Sequence, residues 1–327
     1  MASIKDVARE AGVSVATVSR VINNSGVVTD STCKAVHQAI EKLGYRYNLF
    51  GRGLRSGETK IIMVMLSSLA NTFCSRVIHS IDKAAGEKGF YTMVCTTEGI
   101  AEKEEYYTNF ACNGLFDGMI ILNSALDSSK MESIAKTIPL VQCNEFVDAN
   151  IPYVSIDNEQ AAYDATELLI KNGRRKIVFY TADNDLTSTR DRLKGYRRAL
   201  DEYSIPFRDE LVLCGNYGYR NAVHVFETFL SRGESFDGVF AISDRMAVGA
   251  ARAMIDKGYS IPDDVEVIGF DNTDISYTST PQITTVSQPH ALLGKHAFEL
   301  LEKVIGKEKT ENILLPHKIV CRNSTKD

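Results

Sequence analysis

The chain of 327 residues is 44% hydrophobic and 24% charged, which supplies a packed core and excludes wholesale disorder. Its apolar runs, such as 61–66 and 119–122, are too short to cross a bilayer, and residues 1–6 lack a secretory pattern, so a cytoplasmic protein without membrane contact is expected. The net charge of −5 conceals a division: residues 1–60 hold nine Lys/Arg against five Asp/Glu, leaving −9 elsewhere and suggesting a polyanionic partner for the first segment alone.

Ser3 precedes Ile4, Val7, Ala8 and Ala11, an apolar stripe at helical spacing, and Asp6 supplies a first-turn acid. Gly12 breaks this helix, as a residue free of a Cβ penalty in a left-handed turn. Ser14 can cap a second helix that turns Val18, Val21 and Ile22 inward and leaves Ala16, Thr17, Ser19 and Arg20 mostly outward. A third helix, capped from 29–31, buries Ala35, Val36, Ala39, Ile40 and Leu43 and stops at Gly44. Two short helices joined at a tight glycine turn form a helix-turn-helix, and a small, polar, arginine-ended outer face suits the major groove.

From Lys60 the pattern changes to buried-strand runs alternating with amphipathic helices. Strands are expected at 61–66, 91–95, 118–122, 140–143, 153–156, 176–180, 211–213, 238–241 and 265–270. Helices are expected at 73–88, 102–110, 131–136, 159–171, 189–203, 220–230 and 244–257. Such alternation implies parallel sheets covered on both faces, and the number of strands implies two doubly wound lobes, an α/β fold behind an all-α head. Ligands of such sheets lie beyond the carboxyl ends of strands. The residues there are 67–73, Asn123, Asn144-Glu145, 183–192, Asn216-Tyr217, Ser243-Asp244 and Asp271-Asn272. Carboxylates and amides interleaved with aromatic rings suit a polyhydroxyl ligand. Asp157 and Asp244 have a second reading as helix caps, and Tyr217 as a surface turn residue.

The segment Ile4-Lys5-Asp6-Val7-Ala8-Arg9-Glu10-Ala11-Gly12-Val13-Ser14-Val15-Ala16-Thr17-Val18-Ser19-Arg20-Val21-Ile22-Asn23 resembles the DNA-binding unit of the LacI/GalR family of bacterial transcription repressors, nearest to the galactose-repressor branch. The resemblance continues through Leu43-Gly44-Tyr45 and Gly53-Leu54-Arg55-Ser56-Gly57. It implies that Val15 and Ala16 meet operator bases, favouring thymine methyls, and that Arg20 bonds a guanine. Ser14, Thr17, Ser19, Asn23, Thr29 and Tyr45 match positions that touch phosphates or base edges, Asn48 falls in the family's tail pattern, and Leu54 matches a minor-groove wedge. The tail departs from the family in carrying Tyr47 for proline and Gly51 for alanine, with Gly53 nearby. Residues 48–55 are therefore expected to become helical only on the operator, since each glycine costs a helix roughly 1 kcal/mol.

In the body, Arg192-Leu193-Lys194-Gly195-Tyr196 resembles the family's effector-contacting R-x-x-G-aromatic stretch. Ser243-Asp244-Arg245-Met246-Ala247-Val248-Gly249 and Gly269-Phe270-Asp271-Asn272 match two further family segments, and Phe73 and Tyr217 match aromatic pocket positions. Asn144 stands where many members have aspartate. The segments Cys143-Asn144-Glu145-Phe146 and Ser155-Ile156-Asp157-Asn158 look like the cytidine-repressor branch, so a nucleoside effector stands beside a sugar or sugar phosphate. The resemblance implies a periplasmic-binding-protein type I body. The expected divisions are a helix-turn-helix domain at 1–44, a hinge at 45–60, lobe one at about 61–157 plus 288–315, and lobe two at about 158–287 plus 316–327. Residues 284–289 are expected to form the second crossing. No heptad run follows the last strand, so a homodimer on a palindromic double-stranded operator is expected, one head offering too little surface.

Seven scattered cysteines without a C-x-x-C pair suggest free thiols. The six histidines form no metal-binding spacing, no G-x-S-x-G occurs, and 51–57 has no phosphate-loop spacing. No metal, no cofactor and no enzyme activity are expected. The rival readings are a same-fold solute-binding protein and a sugar or nucleoside hydrolase.

Overall fold

The computed structural model describes residues 2–22, 25–45 and 58–326. Asn23, Asn48 and Leu54, together with the expected operator-induced helix at 48–55, lie outside the described residues. The chain divides into two compact units, 1–59 and 60–327.

The first unit contains α1 (Ile4–Glu10), α2 (Val15–Ile22) and α3 (Asp30–Leu43). Ser3 and Asp6 form a reciprocal capping box: the Ser3 hydroxyl accepts from the Asp6 amide at 3.3 Å, and the Ser3 amide donates to the Asp6 carboxylate at 2.9 Å. Gly12 turns the chain at φ 67°, and the Thr17 amide then donates to the Ser14 hydroxyl at 3.1 Å. Val7, Ala8, Val18, Val21, Val36 and Ala39 close a small core. The left-handed Gly44 ends α3.

The second unit is built on two six-stranded sheets. The first has β1 (Ile61–Leu66), β2 (Tyr91–Thr96), β3 (Gly118–Ile121), β4 (Leu140–Cys143), β5 (Tyr153–Ile156) and β11 (Ile313–Leu315), in the order β11-β5-β4-β3-β1-β2. All its pairings are parallel. The second has β6 (Ile177–Ala182), β7 (Val212–Gly215), β8 (Gly238–Ala241), β9 (Glu266–Phe270), β10 (Thr284–Ser287) and β12 (Lys318–Val320), in the order β12-β10-β9-β8-β6-β7. Only β12 runs antiparallel.

The two-residue strand period sorts the first lobe into two half-cores. Ile62, Val64 and Leu66 join one face, and Met63 and Met65 join the other. The first face is covered by α4 (Thr72–Glu87) and α12 (His290–Ile305), and residues of α5 (Ala101–Ala111) and α6 (Ser128–Ala135) belong to the second. Lobe two carries α7 (Asn158–Lys171), α8 (Thr187–Glu202), α9 (Tyr219–Leu230), α10 (Asp244–Asp256) and the short α11 (Asp274–Thr278).

Three helix pairs approach so closely that a side chain has no room. A Cβ on Gly195 of α8 would lie 2.0 Å from the Glu159 carbonyl oxygen of α7. A Cβ on Gly249 of α10 would lie 2.5 Å from the Ala222 Cβ of α9, and one on Gly294 of α12 would lie 2.5 Å from the Val77 carbonyl oxygen of α4.

After β10 the chain returns to the first sheet with α12 and β11, then rejoins the second with β12. Residues 284–287, expected within a crossing, are instead a paired strand; the crossing follows them. Thr284 and Thr285 are wholly buried because their hydroxyls find distant partners: Thr284 Oγ1 lies 2.7 Å from Thr325 Oγ1, and Thr285 Oγ1 donates to Asp244 at 2.5 Å. The Ser324 hydroxyl, also buried, donates to the Val267 carbonyl at 2.5 Å.

Candidate functional site

The strand ends of the two sheets face one cleft of about 1240 Å³. Phe73, Asn123, Asn144, Arg192, Tyr217, Asp244 and Asp271 all line it. Each is carried there by a strand end or by the first turns of the helix that follows.

Arg192 occupies the second turn of α8 and is only 4% exposed. Its guanidinium carbon lies 3.6 Å from the centre of the Phe270 ring, Nε donates to Asn158 at 3.0 Å, and Nη1 donates to the Ile242 carbonyl at 2.8 Å. Asp271 follows β9 with a left-handed φ of 99° and accepts from Gln288 Nε2 at 2.7 Å. Burial pushes its carboxyl above the usual range, and the Arg192 charge opposes this.

Asp244 is the first residue of α10 and does not cap it; the Ser243 hydroxyl does, accepting from the Met246 amide at 3.3 Å. The Asp244 carboxylate instead accepts from the Thr273 amide at 2.5 Å, the Thr273 hydroxyl at 2.8 Å and the Thr285 hydroxyl at 2.5 Å. Burial, followed by the neighbouring Asp271 charge, pushes its pKa up to about 7 despite these donors. Asp157, by contrast, is a cap, accepting from the Gln160 amide at 2.8 Å.

Asn123 spends both ends of its carboxamide on Ser67: Oδ1 accepts from the amide at 2.7 Å, and Nδ2 donates to the hydroxyl at 2.9 Å. It braces the end of β1. Phe73 is buried at the start of α4 behind Asn71, whose Oδ1 accepts from the Phe73 amide at 3.0 Å. Tyr217 is half-buried against the lobe-two core, and burial raises its phenol pKa. Asn144 has a left-handed φ of 71°, and among the described residues its Oδ1 has no hydrogen-bond partner.

Several residues of this site carry no role in the sequence reading. Glu145, buried beside Asn144, accepts from the Ser188 amide at 3.1 Å and from the Ser188 hydroxyl, joining the end of β4 to the first turn of α8 in the other lobe. Thr187 Oγ1 adds a bond to the Phe146 carbonyl at 2.5 Å. On the cleft's other side, Arg76 of α4 donates to the Asn272 carbonyl at 3.1 Å and pairs with Asp274, and Arg245 donates to the Ala70 carbonyl at 3.0 Å. Gln288 is 2% exposed and lines the cleft. The polar strand-end pair Asn144-Glu145 was the available signal for Glu145; Gln288 was visible only as part of a crossing.

In the head, α2 turns Ala16 and Arg20 fully outward, while Val15, Thr17 and Ser19 are half-buried. Ser14 and Thr29 are exposed, each at the start of a helix, and Tyr45 packs on the edge of the small core.

Residues 3–48 match the family of bacterial regulatory proteins, lacI family, and residues 59–323 match the periplasmic binding proteins and sugar binding domain of LacI family. The chain belongs to the LacI family. Catabolite control protein A of Priestia megaterium is 36% identical, over 99% of both chains. The fold is similar to that of the Lac repressor dimer bound to operator and the anti-inducer ONPF, with a TM-score of 0.89, 26% identity and 99% of each chain covered. It is similar also to the transcriptional regulator CelR in its cellobiose complex, with a TM-score of 0.75, 29% identity, and 99% of this chain and 100% of the other covered. This LacI-family chain is thus a DNA-binding transcription regulator with a helix-turn-helix head and a periplasmic-binding-protein-like body, and not an enzyme. Among the described residues, no helix is long and apolar enough to cross a membrane.

Proposed function

We propose that this regulator is a cytoplasmic homodimeric repressor whose grip on a palindromic operator is set by a small polyhydroxylated effector, a sugar, sugar phosphate or nucleoside, held in the cleft. The observation that carries the reading is the convergence of all seven strand-end residues on one cleft around buried Arg192 and half-buried Asp271. Arg192, Asp271, Asn144 and Tyr217 contact the effector; Phe73 shapes the wall; Asn123 and Asp244 hold the strand ends. The likeness over full length to a cellobiose-bound regulator and to an operator-bound dimer supports both halves of the reading.

Residues 1–44 form the reader and 45–60 the hinge. Lobe one comprises about 61–157 and 288–315, and lobe two about 158–287 and 316–327. Val15, Ala16 and Arg20 read bases. Ser14, Thr17, Ser19, Asn23, Thr29, Tyr45 and Asn48 set register on the backbone and base edges, and Leu54 wedges the minor groove. Tyr91 (60% exposed), Met93 and Val94 on edge strand β2, with Tyr106 (68%) and Phe110 on α5, offer apolar surface for a second copy.

Effector occupancy shifts the lobe arrangement, and the difference in affinity between DNA-competent and incompetent states supplies the coupling, typically about 1–3 kcal/mol. Gel shifts on inverted-repeat promoter fragments, with and without a panel of sugars, sugar phosphates and nucleosides, test this. Operator binding altered by at least one of them supports it, and the direction of change distinguishes inducer from corepressor. No specific shift on any inverted repeat, with or without metabolites, defeats it.

A further inference from the structure

The cleft lining holds more buried carboxylates than buried cations. Three carboxylates are buried at its lining, Glu104, Glu145 and Asp244, with Asp271 half-buried, against a single buried guanidinium, Arg192. Two Arg192 nitrogens are already committed, to Asn158 and to the Ile242 carbonyl, and the guanidinium sits over the Phe270 ring. The other two arginines at the cleft are engaged: exposed Arg190 pairs with Asp185 at 3.2 Å, and half-buried Arg245 donates to the Ala70 carbonyl.

Gln288 makes an independent point. It is almost wholly buried at the cleft wall, its Nε2 is given to Asp271, and its Oε1 has no partner among the described residues. The Oδ1 of Asn144 is in the same condition. Buried acceptors without donors are costly, and a ligand that brings donors removes the cost. A ligand that brings further anionic oxygens does the opposite, in a low-dielectric cleft where like charges are poorly screened.

Resting on the reading of the cleft as the effector site, we propose that the effector is a polyhydroxylated molecule without negative charge, whose donors meet Asp271, Gln288 and Asn144. Phosphorylated forms of the same molecule are rejected. A protonated amine on the skeleton suits the site best, since it balances carboxylates that Arg192 alone does not. The raised pKa values of Glu145, Asp244 and Asp271, each caused first by burial, agree with this: the site gains from an incoming cation.

The test uses full-length wild-type protein in isothermal titration with matched sets on one skeleton. Hexoses, pentoses, cellobiose and nucleosides are each compared with their phosphates and, for the sugars, with their amino and N-acetylamino forms. For the skeleton that binds most tightly, the phosphate is expected to bind about 100-fold more weakly or worse, and the amino form at least as tightly as the parent. Asp271→Asn should narrow the gap between parent and phosphate at least tenfold, roughly. The wild-type ratio decides the matter even where the variant fails to fold. A phosphate equal to or tighter than its parent overturns the charge rule; if that binding is lost in Asp271→Asn, the effector reading stands without it. No binding by any member of any set overturns the effector reading and this proposal together.

Discussion

Gly195→Ala probes the link between helix packing and the cleft. Gly195 lies one turn after Arg192 on α8, at its closest approach to α7. An added Cβ would stand 2.0 Å from the Glu159 carbonyl oxygen, 2.8 Å from the Tyr163 nitrogen and 2.9 Å from the Ala162 Cβ, where ordinary contact begins at 3.4 Å. The first two obstacles are backbone, so no rotamer change relieves them, and α8 must move off α7 by more than an ångström. Overpacking of this kind costs about 1–3 kcal/mol, and two backbone clashes place it near the upper end. At about 2–4 °C per kcal/mol for a body of this size, the expected Tm loss is about 6–12 °C. Because α8 also carries Ser188 and Arg192, effector-induced stabilisation should fall, while operator binding without effector persists through the untouched head. Gly86→Ala is the matched control: the site is exposed, helical and open, so the Tm should rise by about 1–3 °C. Thermal unfolding followed by circular dichroism reads both. A Gly195→Ala protein within about 2 °C of wild type would refute the close-packing argument.

Arg20→Ala should cost about 1–3 kcal/mol of specific operator binding and relax one operator position; an equal loss on random DNA would remove its base-reading role. Asp271→Ala should abolish the effector response in gel shifts while sparing DNA binding, and a retained response would move the site elsewhere. Asp244 carries a folded pKa of about 7, above the ordinary carboxylate value, so the native state binds the extra proton between about pH 4 and 7 and its contribution to stability declines as pH rises through that window. Urea midpoints should therefore show wild type losing stability relative to Asp244→Asn from pH 4 to pH 7. A constant difference would indicate that Asp244 is ionised throughout.

The head was legible because its signals are local. Ser3 and Asp6, Gly12, Ser14 and Gly44 act within four residues of themselves, and the structure puts a cap, turn or stop at each. In the body, β1, β4, β5 and β8 declare themselves as apolar runs buried throughout or nearly so. β10 did not, because Thr284 and Thr285 are polar in sequence and become core residues only through Ser324, Thr325 and Asp244. The three-residue β11 and β12 are strands only by virtue of partners far along the chain. The cleft shows the same division. Strand-end position located all seven named residues at its lining, but not that Asn123 is occupied by Ser67 or that Glu145 reaches Ser188, 43 residues away.

The late return of the chain to both sheets has a consequence for biosynthesis. Among the described residues, the small core of the head is built from residues 4–45, so it can mature soon after emerging from the ribosome. Lobe one waits for α12 and β11, and lobe two for β12 and the Ser324–Thr325 anchor. At roughly 5–20 residues per second, a nascent reader is exposed for about 15–60 s before its sensor exists.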